Sequence, residues 1–133
     1  MRAAALVLLA LSSCSQITGA FDKRQFNLVC DGSKNYQYGF YPAKSEKLHE
    51  VYRIDLANMR YCKGPCDQTE KLTSVSPSEI EQHIKGSFDS DDQLTFQRET
   101  GDWNYKSTWN GGYVFIGGSC KKTAFSGFPS AKF

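Results

Sequence analysis

Residues 94–120 constrain the fold of this chain more than any other stretch. Their sequence, LTFQRETGDWNYKSTWNGGYVFIGGSC, alternates apolar and polar residues and contains two turn signals. Asn110 and Gly111 both accept the positive φ angles of a type I′ turn, so they predict a tight hairpin that pairs Trp109 with Gly112. The stretch therefore predicts three antiparallel strands around which the rest of the chain packs.

The hairpin fixes the register of the strands on either side of it. It pairs Ser107 with Val114, Tyr105 with Ile116 and Trp103 with Gly118. A second turn around residues 100–101, of two or four residues, is expected to pair Arg98 with Trp103, Phe96 with Tyr105 and Leu94 with Ser107. Alternate residues of a strand point to opposite faces, so the meander has one buried face. That face is predicted to contain Leu94, Phe96, Tyr105, Val114, Ile116 and Cys120.

Two apolar residues, Tyr113 and Phe115, fall on the opposite face, which is otherwise polar. Either another segment covers them, or the sheet is sandwiched or closed. The tail 123–133 carries three phenylalanines among Gly, Pro and Ser, so we expect an irregular segment that lies over an apolar surface. Tyr113 and Phe115 are the natural candidates for that surface.

Upstream of the meander, three segments have β character. Residues 26–30 predict a first strand that ends at Asp31-Gly32, and residues 36–41 predict either a strand or an aromatic-rich loop. A polar connection over 43–46 leads to a strand over 48–56. A turn at Ala57-Asn58 is expected to pair Asp55 with Arg60 and Ile54 with Tyr61. The first of these pairs places opposite charges side by side across the strands.

The segment between the two sheet regions is the least clear. Residues 71–75 predict a short strand, and residues 86–92 predict a polar loop. Ser76, Pro77 and Glu79 have the spacing of a helix start. The residues that follow alternate as a strand does, so we expect a strand over 77–85 with one short helix as the alternative.

The N-terminus predicts export from the cytoplasm. Residues 3–11 form an apolar run too short to span a bilayer and typical of a signal-peptide core. Ordinary cleavage after Ala20 would give a signal peptide over 1–20. A lipobox ending at Cys14 directly follows the apolar run and is favoured over that site; it would give a signal over 1–13, a lipidated Cys14 and a tether over 14–24. A single β domain over 25–133 follows in either case, and the membrane is reached only through that lipid anchor.

With either processing site the β domain contains four cysteines, which predicts two disulfides in a small exported domain. Three pairings are possible. We expect Cys62 to pair with Cys66, because Gly64 and Pro65 bend the short loop between them. Cys30 and Cys120 would then join the first and last strong strands. This link favours an all-β, single antiparallel meander that closes into a small barrel or tight sandwich.

Composition narrows the partners. The hydrophobic content of 40% favours a packed domain, and the net charge of +2 is spread without any basic stripe. Nucleic acid is therefore not an expected partner. No metal site or cofactor is expected, because His49 and His83 have no ligand spacing with the cysteines. The sequence gives no signal for the oligomeric state.

Catalytic signatures are absent from the sequence. Neither histidine accompanies a nucleophile motif, and no glycine-rich phosphate loop occurs. The nearest paired carboxylates are Asp55 with Glu50 and Glu99 with Asp102, and both pairs are typical of a sheet surface. We therefore expect a protein that is not an enzyme.

One set of aromatic residues could bind a ligand. Arg98 beside Trp103 would allow a cation–π stack, although an indole that covers a strand glycine is the simpler interpretation. A sugar- or peptide-binding platform is the other possibility, against ordinary core and hairpin packing. The candidate ligand-binding residues are Arg98, Trp103, Tyr105, Trp109 and Tyr113.

Short pieces spread over most of the chain resemble a family of small, uncharacterised bacterial exported proteins. The pieces are FNLVC, YRIDL, RYC, RETG, GSC and FSGFP. The resemblance implies a periplasmic or outer-membrane address and no particular activity. A looser likeness, in size, address and fold class, is to periplasmic inhibitors of C-type lysozyme.

We expect an exported, non-enzymatic binding or envelope-maintenance module whose partner is an envelope protein or glycan. An inhibitor of a cell-wall-degrading enzyme is the alternative, followed by a small hydrolase or carbohydrate-binding module.

Overall fold

The structure is a computed structural model that describes residues 23–129. Nine strands form one antiparallel sheet. They are β1 (Gln25–Tyr38), β2 (Lys44–Asp55), β3 (Arg60–Lys63), β4 (Glu70–Lys71), β5 (Ser74–Val75), β6 (Glu79–Lys85), β7 (Asp91–Gln97), β8 (Asp102–Trp109) and β9 (Gly112–Thr123). The order across the sheet is β4-β3-β2-β1-β9-β8-β7-β6-β5. The all-β prediction is confirmed.

The sheet curls into a half-barrel, and one short segment joins its two edges. Strands β4 and β5 lie at opposite ends of the strand order but are separated in the chain only by Leu72 and Thr73. The Leu72 amide donates to the Met59 carbonyl at 2.8 Å, beside β3, and the Thr73 amide donates to the Glu81 carbonyl of β6 at 2.8 Å. Residues 70–75 thus serve both edges at once.

The register of the last hairpin is confirmed, and that of the preceding one is corrected. Strand β8 pairs with β9 as predicted, from Trp109 opposite Gly112 to Trp103 opposite Gly118. Between β7 and β8 the observed pairs include Phe96 with Trp103. The expected pairing of Arg98 with Trp103 is wrong by two residues. Arg98 belongs instead to a four-residue loop that the Gly101 amide closes by donating to the Gln97 carbonyl at 2.9 Å.

The first strand is longer than expected. Asp31 and Gly32 do not end it, because β1 continues to Tyr38 and pairs along nearly its whole length with β2 and β9. Gly32 lies opposite Gly118 of β9. A Cβ atom on Gly118 would lie 2.1 Å from the Asp31 carbonyl oxygen. Glycine at these positions therefore marks a close approach of two strands and not a turn.

Two further assignments upstream of the meander are now settled. Residues 43–46 are not a connection, because β2 begins at Lys44. The 77–85 segment is strand β6, and no residue within 23–129 is helical, so the alternative of a short helix is wrong. The predicted pairs of Asp55 with Arg60 and Ile54 with Tyr61 are confirmed.

The core lies on the concave inner face of the half-barrel. Residues that alternate along each strand point inward, as the periodicity of a strand requires. Trp103 packs edge-on against Tyr52, with ring centroids 5.8 Å apart, and Tyr52 also meets Phe96 edge-on at 4.9 Å. The buried cluster consists of Phe26, Cys30, Tyr52, Ile54, Tyr61, Leu72, Ile80, Leu94, Phe96 and Trp103.

Both predicted disulfides are present. Cys30 and Cys120 are direct cross-strand partners in β1 and β9, with Cα atoms 4.0 Å apart. Cys62 bonds to Cys66 in the loop that follows β3. Two disulfides indicate an oxidising, non-cytoplasmic environment.

The half-barrel has two distinct ends. Four connections, at 39–43, 64–69, 86–90 and 110–111, lie at one end, which we call the hairpin end. The turns at 56–59, 76–78 and 98–101 lie at the other end, where β1 begins, which we call the amino-terminal end.

In the described part of the chain no helix is long and apolar enough to cross a membrane. The predicted signal peptide and the Cys14 lipidation site lie outside the described residues.

The tail does not lie where it was expected. The Ser126 hydroxyl accepts a hydrogen bond from the Asn27 side-chain amide at 3.0 Å, and the Gly127 carbonyl accepts one from the Arg53 guanidinium at 2.8 Å. Both partners are near the amino-terminal end, so the tail up to residue 129 does not cover Tyr113 at the hairpin end. Residues 123–129 therefore do not provide the predicted cover for Tyr113 and Phe115, and residues 130–133 lie outside the described part of the chain.

Candidate functional site

A cavity of about 680 Å³ opens at the hairpin end, above the core. Inward-facing residues toward the hairpin end of seven strands form its wall, together with part of the 64–69 loop. Its lining residues are Glu50, Tyr52, Tyr61, Lys63, Pro65, Asp67, Gln68, Glu70, Gln82, Ile84, Asp92, Leu94, Tyr105 and Ile116. Its size is within the range of ordinary small-molecule and side-chain pockets.

A hydrogen-bonded network forms one wall of this cavity. The Tyr61 hydroxyl lies 2.7 Å from Glu70 Oε2 and is also within hydrogen-bond distance of Gln82 Oε1, so its single proton is directed to one of two acceptors. Gln82 is buried and donates from Nε2 to Glu70 Oε2 at 3.1 Å and to the Lys71 carbonyl at 3.1 Å. This network fixes the Glu70 carboxylate on β4 against β3 and β6.

Carboxylates give the cavity a negative field. Glu50, Asp67, Glu70 and Asp92 line it with Lys63 as the one cationic side chain among the lining residues, a net charge of −3. Asp92 accepts a hydrogen bond from the Ser107 hydroxyl at 2.5 Å, which orients its carboxylate.

Three phenols share the cavity with these carboxylates. Burial raises the pKa of Tyr52 far above its ordinary value, and the charge of Glu50 adds to the effect. The pKa of Tyr61 is raised by burial and by Glu70, and the pKa of Tyr105 by burial and by Asp92. The phenols are therefore neutral throughout the physiological pH range and offer hydroxyl groups and ring faces to a ligand.

A row of aromatic side chains continues the inner face from the cavity to the tip of the β1–β2 hairpin. The Tyr36 and Tyr38 ring centroids are 5.4 Å apart, and those of Tyr38 and Trp109 are 5.6 Å apart. Lys34 lies 4.7 Å from the centre of the Tyr36 ring and forms an ion pair with Glu46 at 3.4 Å. The lysine charge is thereby held locally, above the cavity.

In the described part of the chain, the large hydrophobic side chains that remain exposed are concentrated at the same end. Phe40 and Tyr41 form the tip of the β1–β2 hairpin, and Phe88 lies in the turn between β6 and β7. Tyr38, Ile84 and Phe115 lie on strands close to these turns. On the outer face Phe115 stacks on Tyr113, with ring centroids 4.9 Å apart and planes inclined by 25°.

The five predicted ligand-binding residues do not form one platform. Trp103 is fully buried, so its ring is not available to a surface ligand. Arg98 donates to the Ser76 carbonyl at 2.7 Å and lines a second cavity of about 230 Å³ at the amino-terminal end. Tyr105 lines the main cavity, Trp109 belongs to the aromatic row, and Tyr113 lies on the outer face.

None of the four carboxylates in the cavity was among the predicted ligand-binding residues. A signal was present: Glu50 and Asp92 each lie two residues before a buried strand residue, Tyr52 and Leu94, so alternation places all four on the inner face. A third carboxylate of the cavity, Glu70, carried no such signal because its strand is only two residues long.

One member of each carboxylate pair considered from the sequence has a structural partner. Asp55 accepts hydrogen bonds from Asn58 and Gln25, and Asp102 accepts one from Thr100. Both histidines also have acidic partners away from the cavity, because His49 lies 2.6 Å from Asp31 and His83 lies 2.6 Å from Asp91.

Among residues 23–129, no group of three or more His, Cys, Asp or Glu side chains is placed to hold a metal ion.

No protein-family model, curated protein sequence or solved structure matches the chain. The function must therefore be argued from the geometry of the cavity and of the surface around it.

Proposed function

We propose that the protein is an exported, non-enzymatic binding module of the bacterial cell envelope, and that it binds its partner with the hairpin end. One observation carries this proposal. Among residues 23–129, the six large hydrophobic side chains that remain exposed all lie at that end, where the cavity opens: Tyr38, Phe40, Tyr41, Ile84, Phe88 and Phe115.

Exposed aromatic side chains concentrated on one part of a small protein are typical of an interaction surface. The cavity and these exposed side chains, which we call the aromatic rim, lie at the same end of the molecule. A single partner that covers the rim would also close the cavity.

Site-directed photo-crosslinking tests this proposal in intact cells. A photoreactive amino acid replaces Tyr41 at the hairpin end in one variant and Thr123, near the amino-terminal end, in the other. We expect discrete adducts of defined mass from position 41 and none of that mass from position 123. Equal labelling from both positions, or no adduct from position 41, would contradict the proposal.

Inhibition of a cell-wall-degrading enzyme is a second candidate, and the shape of the β1–β2 hairpin favours it. The hairpin carries Phe40 and Tyr41 at its tip with little contact to the rest of the protein. Such a tip has the form of a loop that can enter an enzyme cleft. The test is a lysozyme protection assay with wild type and the Phe40→Ser variant; undiminished lysis in the presence of wild type removes this candidate.

Attachment to the envelope through a lipid on Cys14 is part of the proposal. Labelling with a radioactive lipid precursor should give a labelled wild-type protein and an unlabelled Cys14→Ala variant. A Cys14→Ala protein that still fractionates with membranes would show that the lipid is not the anchor.

A further inference from the structure

We infer that the partner of the hairpin end is a protein that inserts a lysine or arginine side chain into the cavity while the aromatic rim packs around the inserted segment. The inference rests on the proposed function and specifies the chemistry of the partner. It draws on the charge of the cavity, the nature of its uncharged surface and the shape of its rim.

The charge of the cavity selects a cation. Four carboxylates and Lys63 line it. Lys34, a further cation on the inner face, is engaged by Glu46 and by the Tyr36 ring. An inserted ammonium or guanidinium group would relieve the repulsion among the carboxylates and gain charge-assisted hydrogen bonds from them.

The uncharged part of the wall suits the same group. Tyr52, Tyr61 and Tyr105 present neutral phenols to the cavity. Aromatic faces attract cations, and phenol oxygens accept hydrogen bonds from them. Leu94, Ile116 and Ile84 provide apolar contact for the methylene groups of a long basic side chain.

The rim indicates that the cation belongs to a polypeptide. A small free amine would occupy the cavity and leave Phe40, Tyr41 and Phe88 in water, since these side chains lie in turns outside the cavity lining. A protein segment with a basic residue flanked by apolar ones covers the rim and fills the cavity together. Central anchors in pockets, surrounded by aromatic contacts, are typical of such interfaces.

A display experiment tests the inference directly. The mature chain is used to select from a library of random twelve-residue peptides displayed on phage. A double variant, Glu50→Gln with Asp92→Asn, removes two charges from the cavity. The matched control, Glu81→Gln with Glu99→Gln, removes two charges from the outer face of β6 and from the 98–101 turn. All three proteins are first shown to have the same thermal unfolding midpoint; if the Asp92 change lowers it, Glu50→Gln alone replaces the double variant.

We expect the selected peptides to carry a lysine or arginine between apolar residues. A synthetic copy of the consensus should bind the cavity variant at least about tenfold more weakly than wild type and bind the control equally well. Acidic or purely apolar consensus peptides, or affinity that the cavity variant leaves unchanged, would overturn the inference. Spermidine binding as tightly as the peptide would overturn its polypeptide component.

The failure of this inference can be distinguished from failure of the proposed function. Adducts from position 41 together with a non-basic consensus would leave a binding module whose partner has different chemistry. Absence of those adducts would remove the binding module itself.

Discussion

Gly117 and Gly118 are neighbours in β9 but differ in the space around them. A Cβ atom at Gly118 would meet the Asp31 carbonyl oxygen at 2.1 Å, whereas the nearest atom to a Cβ at Gly117 is Asn104 Oδ1 at 3.7 Å. We expect Gly118→Ala to lower the free energy of unfolding by about 2–4 kcal/mol, because two strands must move apart. Gly117→Ala, the matched control, should change it by less than about 1 kcal/mol. Urea unfolding measures both; equal losses would show that the close approach of β1 and β9 is not what requires glycine.

Asp55 predicts a pH dependence of stability. Burial acts to raise the pKa of this carboxyl group, but hydrogen bonds from Asn58 and Gln25 outweigh burial, so its pKa lies below the ordinary value of 3.8. A lowered pKa in the folded state stabilises the protein above the unfolded value, and this contribution disappears as the pH falls through the folded value.

Wild type should therefore be more stable than Asp55→Asn at pH 6, by about 1–2 kcal/mol, and the difference should shrink as the pH falls below the ordinary pKa of 3.8. Urea titrations of both proteins from pH 6 to pH 2.5 measure it. A difference that is constant over this range would mean that the carboxylate charge has no role at the 56–59 turn.

Single residues also show what alternation can predict and what it cannot. Alternation places Trp103 on the same face as Tyr105, and this face is the buried one. The pattern does not reveal how deep a residue lies within the half-barrel. The sequence therefore could not distinguish the full burial of Trp103 from the partial exposure of Tyr105. The inward-facing carboxylates had a readable signal, but their meeting in one cavity depends on how the sheet curls.

At the scale of elements, the accuracy of each predicted turn follows from its chemistry. Asn110-Gly111 specifies a two-residue turn, and the β8–β9 register was predicted correctly. Thr100-Gly101 specifies only that the turn contains a glycine with a positive φ angle. The φ angle of Gly101 is indeed positive, at 78°. A shift of two residues keeps every side chain on its face, so the burial pattern could not detect the error between β7 and β8.

The two disulfides should contribute unequally to stability. Cys30–Cys120 closes a loop with a sequence separation of 90 and Cys62–Cys66 one of 4. In the chain-entropy model these loops correspond to about 4.6 and about 2 kcal/mol. Replacing Cys30 and Cys120 with alanine should therefore lower the unfolding midpoint more than replacing Cys62 and Cys66, as differential scanning calorimetry measures. The opposite order would show that the short loop has a larger structural role than its length implies.

At the scale of the whole molecule, closure of the half-barrel depends on residues 70–75. The sequence predicts a strand there but cannot show that its two halves serve opposite edges of the sheet, because that depends on curvature accumulated over all the other strands. Leu72 is buried between the two halves. This segment therefore links the stability of β3 to that of β6.

Leu72→Ala should lower the free energy of unfolding by about 2–4 kcal/mol. It should also speed amide hydrogen exchange in both β3 and β6, although five strands lie between them in the order of the sheet. Ile84→Ala, which truncates an exposed side chain of β6, is the control and should change neither strand by much. Faster exchange confined to one of the two strands would show that the edges open independently.

The course of β1 from one end of the molecule to the other affects how the protein is oriented when it is attached by its N-terminus. The strand begins at the amino-terminal end and reaches the hairpin end 14 residues later, a path of roughly 45 Å along the backbone. Attachment by the N-terminus, whether to a membrane or to a sensor chip, would hold the cavity mouth on the side that faces away from the support. An immobilised sample would therefore display its acidic mouth to the solution without any change to its surface.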